Sequence, residues 1–148
     1  MSRTTVSRFD ILDQADLNVA VVSLQKDTKL QTWFSPVEVA GIATVASELG
    51  RNILKYGGGR GYLQVTWIMD QERGSTAVEI KAVDDGPGFA DIKAALEDHY
   101  STGGTLGMGL PGAARIMDFL EIENRPRHGA IVTVRKWAKS NARQIRSR

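Results

Sequence analysis

The sequence contains no cysteine, which excludes disulfide bridges, thiolate metal sites and a cysteine nucleophile. Its only two histidines, His99 and His128, are too far apart for the usual ligand spacing of a zinc site. No apolar run is long enough to cross a bilayer, and residues 1–8 lack the apolar segment of a secretion signal. We therefore expect a cytoplasmic protein that does not associate with membranes.

Charge is nearly balanced over the 148 residues, with a formal net charge of +2. The exception follows Trp137, where every charged residue is basic: Lys139, Arg143, Arg146 and Arg148. This composition is typical of a solvated tail, with nucleic-acid contact as the alternative. The larger aromatic residues do not alternate with basic ones, so we assign them to packing: Trp33, Phe34, Trp67, Phe119 and Trp137. We expect one domain over residues 1–137, a flexible tail over residues 138–148 and no nucleic-acid partner.

Local signals predict where helices begin. Asp16 can cap a helix, and Ser35 starts a second one because Pro36 follows it and Glu38 completes a capping box. Gly57 and the two glycines after it end this second helix. The predicted helices cover residues 17–28, 36–55, 90–98 and 110–119.

Strands are predicted where β-branched and aromatic residues cluster between turns. Residues 62–68 are apolar on both faces, whereas residues 76–83 alternate, with Glu79 and Lys81 on one face. A polar turn at residues 72–75 is typical of an antiparallel hairpin. The predicted strands cover residues 9–12, 62–68, 76–83, the region of Ile122, and 130–134. Helices and mostly antiparallel strands in this order predict an α+β two-layer sandwich.

The predicted helix that begins at Pro36 carries a carboxylate and a carboxamide one turn apart. Because Glu48 and Asn52 are separated by four residues, their side chains lie on one face. A carboxamide oxygen can ligate Mg²⁺, and a carboxylate can accept a proton from an attacking hydroxyl. Arg51 and Lys55 lie on neighbouring turns, where either could contact phosphate. The alternative for this set is a solvated helix face.

A second motif, Asp84-Asp85-Gly86-Pro87-Gly88, follows the strand predicted over residues 76–83. Asp84 is either a turn-forming residue or an acceptor for a ligand amino group, for which the N6 amine of adenine is suitable. Gly86 and Gly88 would let the backbone pass close to a flat base because they lack a Cβ.

A third motif is the glycine-rich segment of residues 103–110. Backbone N–H groups and the positive end of the helix starting near Gly109 attract phosphate there. Its position late in the chain does not match the dinucleotide fingerprint, and it lacks the lysine of a Walker loop. The candidate ligand residues are Gly104, Gly107, Gly109 and Leu110, with hydroxyl donors at Ser101 and Thr102. Together, the three motifs predict a site for a nucleoside triphosphate with Mg²⁺.

On these residues the chain resembles the GHKL ATPase superfamily, which includes gyrase, MutL and the histidine kinases. Glu48 and Asn52 match its N box, residues 84–88 its G1 box and residues 104–110 its G2 box. The resemblance implies a Bergerat fold, in which helices cover one face of a mixed, mostly antiparallel sheet. It also implies ATP and Mg²⁺ as cofactors, with Asn52 on the metal, Asp84 on the adenine amine and the glycine loop over the phosphates.

Within this superfamily the chain is similar to the small serine/threonine kinases of bacterial partner switching, and most similar to the RsbT-type switch kinases of the stressosome. Because no phosphorylatable histidine segment precedes the motifs in this sequence and no second domain follows them, we expect no autokinase activity. The similarity implies that Glu48 is the catalytic base and that the substrates are STAS-domain scaffold or antagonist proteins. It further implies a downstream output protein, such as a PP2C-type phosphatase, as a partner. The segments that carry it are residues 47–52, 85–88, 100–104, 109–112 and 136–137.

One departure from the superfamily and two rival functions stay open. Where relatives commonly carry a threonine whose hydroxyl helps to bind adenine, this chain has Ala130, followed by Ile131. The first rival function is an anti-sigma-factor kinase, which shares the site but sequesters a sigma factor. The second is a nucleotide-gated binding protein with little catalysis, in which Glu48 serves the structure.

Overall fold

Five strands form one sheet, and helices pack against one of its faces. The structure, a computed structural model, describes residues 1–97 and 109–139. The strands are β1 (Ser2–Ile11), β2 (Gly61–Asp70), β3 (Ser75–Asp84), β4 (Phe119–Asn124) and β5 (Ala130–Trp137). The helices are α1 (Gln14–Gln25), α2 (Thr28–Trp33), α3 (Pro36–Tyr56), α4 (Ile92–Ala95) and α5 (Gly109–Ile116).

The strand order in the sheet is β1-β2-β3-β5-β4, and every pairing among the described residues is antiparallel. The β2–β3 hairpin pairs Gly61 with Asp84 at its open end and Asp70 with Ser75 at its turn, as the sequence predicts. This pairing places the end of β3 beside the start of β2, directly after α3. The predicted two-layer fold, with helices on one face, is confirmed.

Helix α3 is the longest helix, and its limits agree with the prediction. The Ser35 side chain accepts a hydrogen bond from the Glu38 N–H (3.1 Å), and the Glu38 carboxylate accepts one from the Ser35 N–H (2.9 Å). At the other end, the Gly57 N–H donates to the carbonyls of Asn52 and Ile53. The buried residues of α3 recur at helical spacing and contact the sheet or the neighbouring helices: Val39, Ile42, Ala43, Val45, Ala46, Glu48, Leu49, Gly50 and Ile53.

The ends of the other helices differ from the predictions. The cap of α1 is Asp13, whose side chain accepts from the Asp16 N–H, while the Asp16 carboxylate accepts from the Leu12 N–H. The helix predicted to reach Thr28 ends at Gln25, because Asp27 caps the separate helix α2. The pattern missed this break since two caps of the same chemistry lie close together.

Two predicted helices are shorter than expected. The described part of the segment 90–98 contains only the four-residue helix α4, capped by Asp91, and residue 98 lies outside the described residues. Helix α5 ends at Ile116, because the chain enters β4 at Phe119 and pairs with β5. Sequence periodicity alone did not detect this long-range pairing.

The face of the sheet that the described helices leave open carries a buried acid. Glu79, expected on an alternating face, is only 1% exposed. Its carboxylate binds the guanidinium of Arg135 on β5 and that of Arg3 on β1 (2.9 Å to Arg3). Phe119 also lies on this side, 36% exposed and beneath the Arg135 guanidinium, so its assignment to the core is wrong. Phe34 and Trp67 do pack together in the core, with ring centroids 6.3 Å apart.

Gly50 allows α1 to approach α3 closely. A Cβ at this position would collide with Leu17 of α1, whose Cγ would lie 3.1 Å away. Leu17 is itself buried, so it has little room to move. The glycine therefore has a packing function, although glycine costs a helix about 1 kcal/mol relative to alanine.

We predict that Gly50→Ala lowers the free energy of unfolding by about 1 kcal/mol, because overpacking outweighs the gain in helix propensity. In a Leu17→Ala background, where the collision is gone, Gly50→Ala is expected to raise it by about 1 kcal/mol. Urea denaturation of the four proteins measures both effects. A stabilising effect of Gly50→Ala in the wild-type background would contradict the packing argument.

The capping box of α3 predicts a dependence of stability on pH. Burial alone would raise the pKa of the Glu38 carboxyl, but its hydrogen bonds with Ser35 and the charges of Lys136 and Lys139 lower it overall. Because the pKa is lower in the folded protein than in the unfolded chain, Glu38 stabilises the fold above its unfolded pKa. This contribution is lost as the pH falls through the folded pKa.

Accordingly, Glu38→Gln is expected to destabilise the protein by about 0.5 kcal/mol at neutral pH, the size of a charge interaction at a helix N-terminus. The difference from wild type should shrink to zero in acid. Urea midpoints between pH 7 and pH 3 measure it, with exposed Glu123→Gln on β4 as the matched control. A difference that grows on acidification would refute the role assigned to ionised Glu38.

Candidate nucleotide-binding site

Glu48 and Asn52 lie on one side of α3, as their spacing predicts. Glu48 is buried, and its Oε1 accepts a hydrogen bond from the Gly109 N–H at the first residue of α5 (3.1 Å). Arg51 lies one turn away and donates to the same oxygen (3.4 Å). The carboxylate is therefore held between a cation and the start of α5 by charge-assisted hydrogen bonds.

The two basic residues of this motif point to different neighbours. Arg51 contacts Ser47 (3.3 Å) in addition to Glu48, so it is part of the surroundings of the carboxylate. Lys55 is exposed, with its Nζ over the ring of Tyr56, 5.3 Å from the centroid. Asn52 is half-buried. A carboxamide and a carboxylate thus share one face of α3, with a cation next to the carboxylate.

Asp84 is the last residue of β3, and its carboxylate is hydrogen-bonded to the backbone of the protein. Its Oδ1 accepts hydrogen bonds from the backbone N–H groups of Gly86 (2.9 Å) and Ala130 (3.1 Å). The side chain both shapes the turn and lies against Ala130, where the superfamily commonly has threonine. Ala130 contributes to this contact through its backbone, which requires no hydroxyl.

Glycines bring the end of α3 against the end of β3. A Cβ on Gly86 would lie 2.6 Å from the carbonyl carbon of Gly57, and a Cβ on Gly57 would lie 2.7 Å from the Cβ of Asp84. No real Cβ approaches so closely, so both positions require glycine. This contact holds the helix that carries Asn52 beside the loop that carries Asp84. Gly88, at φ +82°, completes the loop in a conformation that favours glycine.

The turn between β4 and β5 makes contacts that the sequence motifs did not reveal. Asn124 uses both ends of its carboxamide on Phe89, and Arg125 reaches the carbonyl of Asp84 and the carboxylate of Asp85. These partners are 35 to 41 residues apart in the sequence. No local pattern marks them, apart from the turn signal of Pro126.

Part of the predicted site lies outside the described residues: Ser101, Thr102, Gly104 and Gly107. Gly109 and Leu110 are described as the first two residues of α5, where Gly109 has a φ of +69° and Leu110 is buried. Within residues 1–97 and 109–139, no group of three or more acidic or histidine side chains could hold a metal ion.

Residues 18–136 match the histidine kinase-like ATPase domain family. The chain belongs to this family. The match spans all three motifs, most of α1 and, among the described residues, the whole of α2 to α5. No helix among the described residues is both long and apolar enough to cross a membrane.

Two relatives indicate which kinds of protein within this family the chain is similar to. The chain is 37% identical to the serine/threonine-protein kinase RsbT of Bacillus subtilis (strain 168), over 82% of this chain and 89% of RsbT. It is 27% identical to an anti-sigma F factor of Caldanaerobacter subterraneus subsp. tengcongensis, over 83% of this chain and 82% of that protein. The similarity to RsbT-type kinases is thereby confirmed.

Two solved structures share the fold at low sequence identity. One belongs to the SiaB–SiaC complex from Pseudomonas aeruginosa, with a TM-score of 0.53, 15% identity and 90% of each chain covered. The other is the catalytic domain of histidine kinase ThkA, with a TM-score of 0.51 and 17% identity, covering 90% of this chain and 97% of that one. These likenesses support the fold alone.

Proposed function

We propose that this chain is an ATP-dependent serine/threonine protein kinase of a partner-switching system. Its substrates would be STAS-domain proteins of a stressosome, and after release it would activate an output protein such as a PP2C-type phosphatase. The observation that carries the proposal is the buried carboxylate of Glu48 on the same face of α3 as Asn52, on a helix that glycine contacts hold against the Asp84 loop. The identity to RsbT supports the same conclusion.

The residues present fit ATP and Mg²⁺. The carboxylate of Asp84 lies beside Gly57, where an added Cβ would meet its Oδ2 at 2.8 Å, so a side chain at this position would block that oxygen. An uncovered carboxylate oxygen can accept a hydrogen bond from the adenine amine. The oxygen of the Asn52 carboxamide is a hard ligand suited to Mg²⁺ that is bound with phosphates. When bound, ATP would supply the transferable phosphoryl group and Mg²⁺ would neutralise part of the phosphate charge.

Glu48 is proposed as the general base. Its ionised carboxylate would accept the proton of a partner's serine or threonine hydroxyl as that oxygen forms its bond to the γ-phosphorus. The bond from the γ-phosphorus to the bridging oxygen of the diphosphate breaks in line. Arg51 and the Gly109 N–H, which both contact the Oε1 of Glu48, hold the carboxylate in one orientation before transfer.

A second candidate function is favoured by the anti-sigma F factors among the relatives. Such a protein would use the same site to phosphorylate a STAS-domain antagonist, but its output partner would be a sigma factor. A nucleotide-gated binder with little catalysis is the third candidate, in which Glu48 would serve only to hold the start of α5.

We predict that Glu48→Gln abolishes phosphate transfer from labelled ATP to a STAS-domain protein encoded beside this chain. A general base contributes about 10²- to 10⁴-fold to rate, so transfer should fall at least about 100-fold. The affinity for ATP should stay within about twofold, because the carboxamide can still accept the Gly109 N–H. Exposed Glu121→Gln on β4 is the matched control and should transfer at the wild-type rate.

Transfer that persists in Glu48→Gln would contradict the assignment of the base. ATP binding without transfer by the wild type would favour the nucleotide-gated binder. If the protein captures a purified sigma factor, and does not capture the STAS-domain protein or the output phosphatase, the anti-sigma-factor kinase would be favoured.

A further inference from the structure

The loop that carries Asp84 is held by the turn between β4 and β5, and no sequence motif includes that turn. We propose that Arg125 and Asn124, at this turn, are positioning residues that fix the Asp84 carboxylate for adenine recognition. They thereby set the preference of the site for ATP over GTP. This inference rests on the proposed function, since it concerns the same nucleotide site.

Arg125 links the two aspartates at the end of β3. Its Nη1 donates to the backbone carbonyl of Asp84 (2.8 Å) and to the Oδ1 of Asp85 (3.1 Å). The two acceptors belong to consecutive residues, so one guanidinium fixes the peptide between them. A bond from a charged donor is about twice as strong as a neutral one, so Arg125 supplies a charge-assisted tie between the turn and the loop.

Asn124 holds the other end of the same loop. Its Oδ1 accepts from the Phe89 N–H (2.8 Å), and its Nδ2 donates to the Phe89 carbonyl (2.9 Å). The side chain thus pairs with Phe89 as a neighbouring strand would. A Cβ on Gly88 would lie 2.7 Å from the Oδ1 of Asn124, so the glycine is needed for this close contact.

The turn also contacts the Asp84 side chain itself. The Ala130 N–H, at the start of β5, donates to the Oδ1 of Asp84 (3.1 Å). Gly129, just before it, has a φ of +89°, and any Cβ there would collide with the Asp84 carbonyl. The backbone and carboxylate of Asp84 are therefore both held from the same turn, and Arg125 supplies the charged part of that support.

The direction of this carboxylate decides between nucleotides because adenine and guanine differ at the atom it faces. Adenine presents an N6 amine, which donates to a carboxylate, whereas guanine presents the O6 acceptor at the same place. A carboxylate held in one direction accepts from adenine and repels guanine. Once that direction is lost, the favourable contact with ATP weakens, while GTP loses little.

The test compares Arg125→Met with Arg127→Met. Both arginines belong to the same turn, but Arg127 is exposed and shows none of the contacts that Arg125 makes with the Asp84 loop. Affinities for ATP and for GTP are measured by calorimetry on the full chain with Mg²⁺. Arg125→Met is expected to weaken ATP binding about tenfold and GTP binding less than about twofold, whereas Arg127→Met should leave both unchanged.

Two further variants distinguish a positioning role of this turn from a general structural role. Arg125→Lys keeps the charge but cannot reproduce the planar guanidinium at two acceptors, so it should restore part of the ATP preference. Asn124→Asp, which keeps the acceptor for the Phe89 N–H but loses the donor to the Phe89 carbonyl, should also reduce the ATP preference. This variant decides the question if Arg125→Met does not fold.

Equal losses for ATP and GTP in the folded variants would overturn the inference, since they would indicate a structural effect without selectivity. Unchanged affinities in Arg125→Met would overturn it as well. If the wild type transfers phosphate from ATP and Arg125→Met keeps its ATP preference, only this inference fails. Wild-type protein that binds neither nucleotide would refute both the proposed function and the inference.

Discussion

The close approach of two backbones, at Gly57 and Gly86, is the constraint on which the candidate site depends. Gly57 ends α3, and Gly86 lies in the loop after β3, so their contact joins the helix layer to the sheet at one point. A Cβ on Gly86 would collide with the backbone of Gly57, and a Cβ on Gly57 would collide with the side chain of Asp84, so a side chain at either position would push the helix and the loop apart. Without this contact, the amide of Asn52 and the carboxylate of Asp84 would belong to two unrelated surfaces.

Around this contact the charged groups are held by backbone and by oppositely charged partners. Glu48 is buried but accepts from the start of α5 and from Arg51, while Asp84 accepts from two backbone N–H groups. Buried carboxylates are costly unless they are paired in this way. Glu79 follows the same rule on the opposite face of the sheet, where two arginines enclose it without any part in the site.

Features with short-range signals could be predicted from the sequence. The capping box at Ser35, the end of α3 at Gly57 and the β2–β3 hairpin all depend on residues within a few positions of each other. The spacing of Glu48 and Asn52 likewise predicted that their side chains lie on one face of α3. The support that Arg125 gives to Asp84 could not be predicted, because its acceptors lie about 40 residues away and only the sheet topology brings them together. The burial of Glu79 was missed for the same reason.

ATP binding by Gly86→Ala tests most directly whether the site depends on this contact, because the added Cβ would lie 2.6 Å from the carbonyl carbon of Gly57 at the end of α3. Calorimetry with Mg²⁺ should show at least about a tenfold loss of ATP affinity, while circular dichroism shows that the fold is kept. Gly41→Ala, in α3 but far from the loop, is the matched control and should bind as wild type does. Asp84→Asn, which introduces no bulk, should lose affinity to a similar extent. Wild-type affinity in both Gly86→Ala and Asp84→Asn would show that ATP binding depends neither on the Gly57–Gly86 contact nor on the Asp84 carboxylate, contrary to the proposed site.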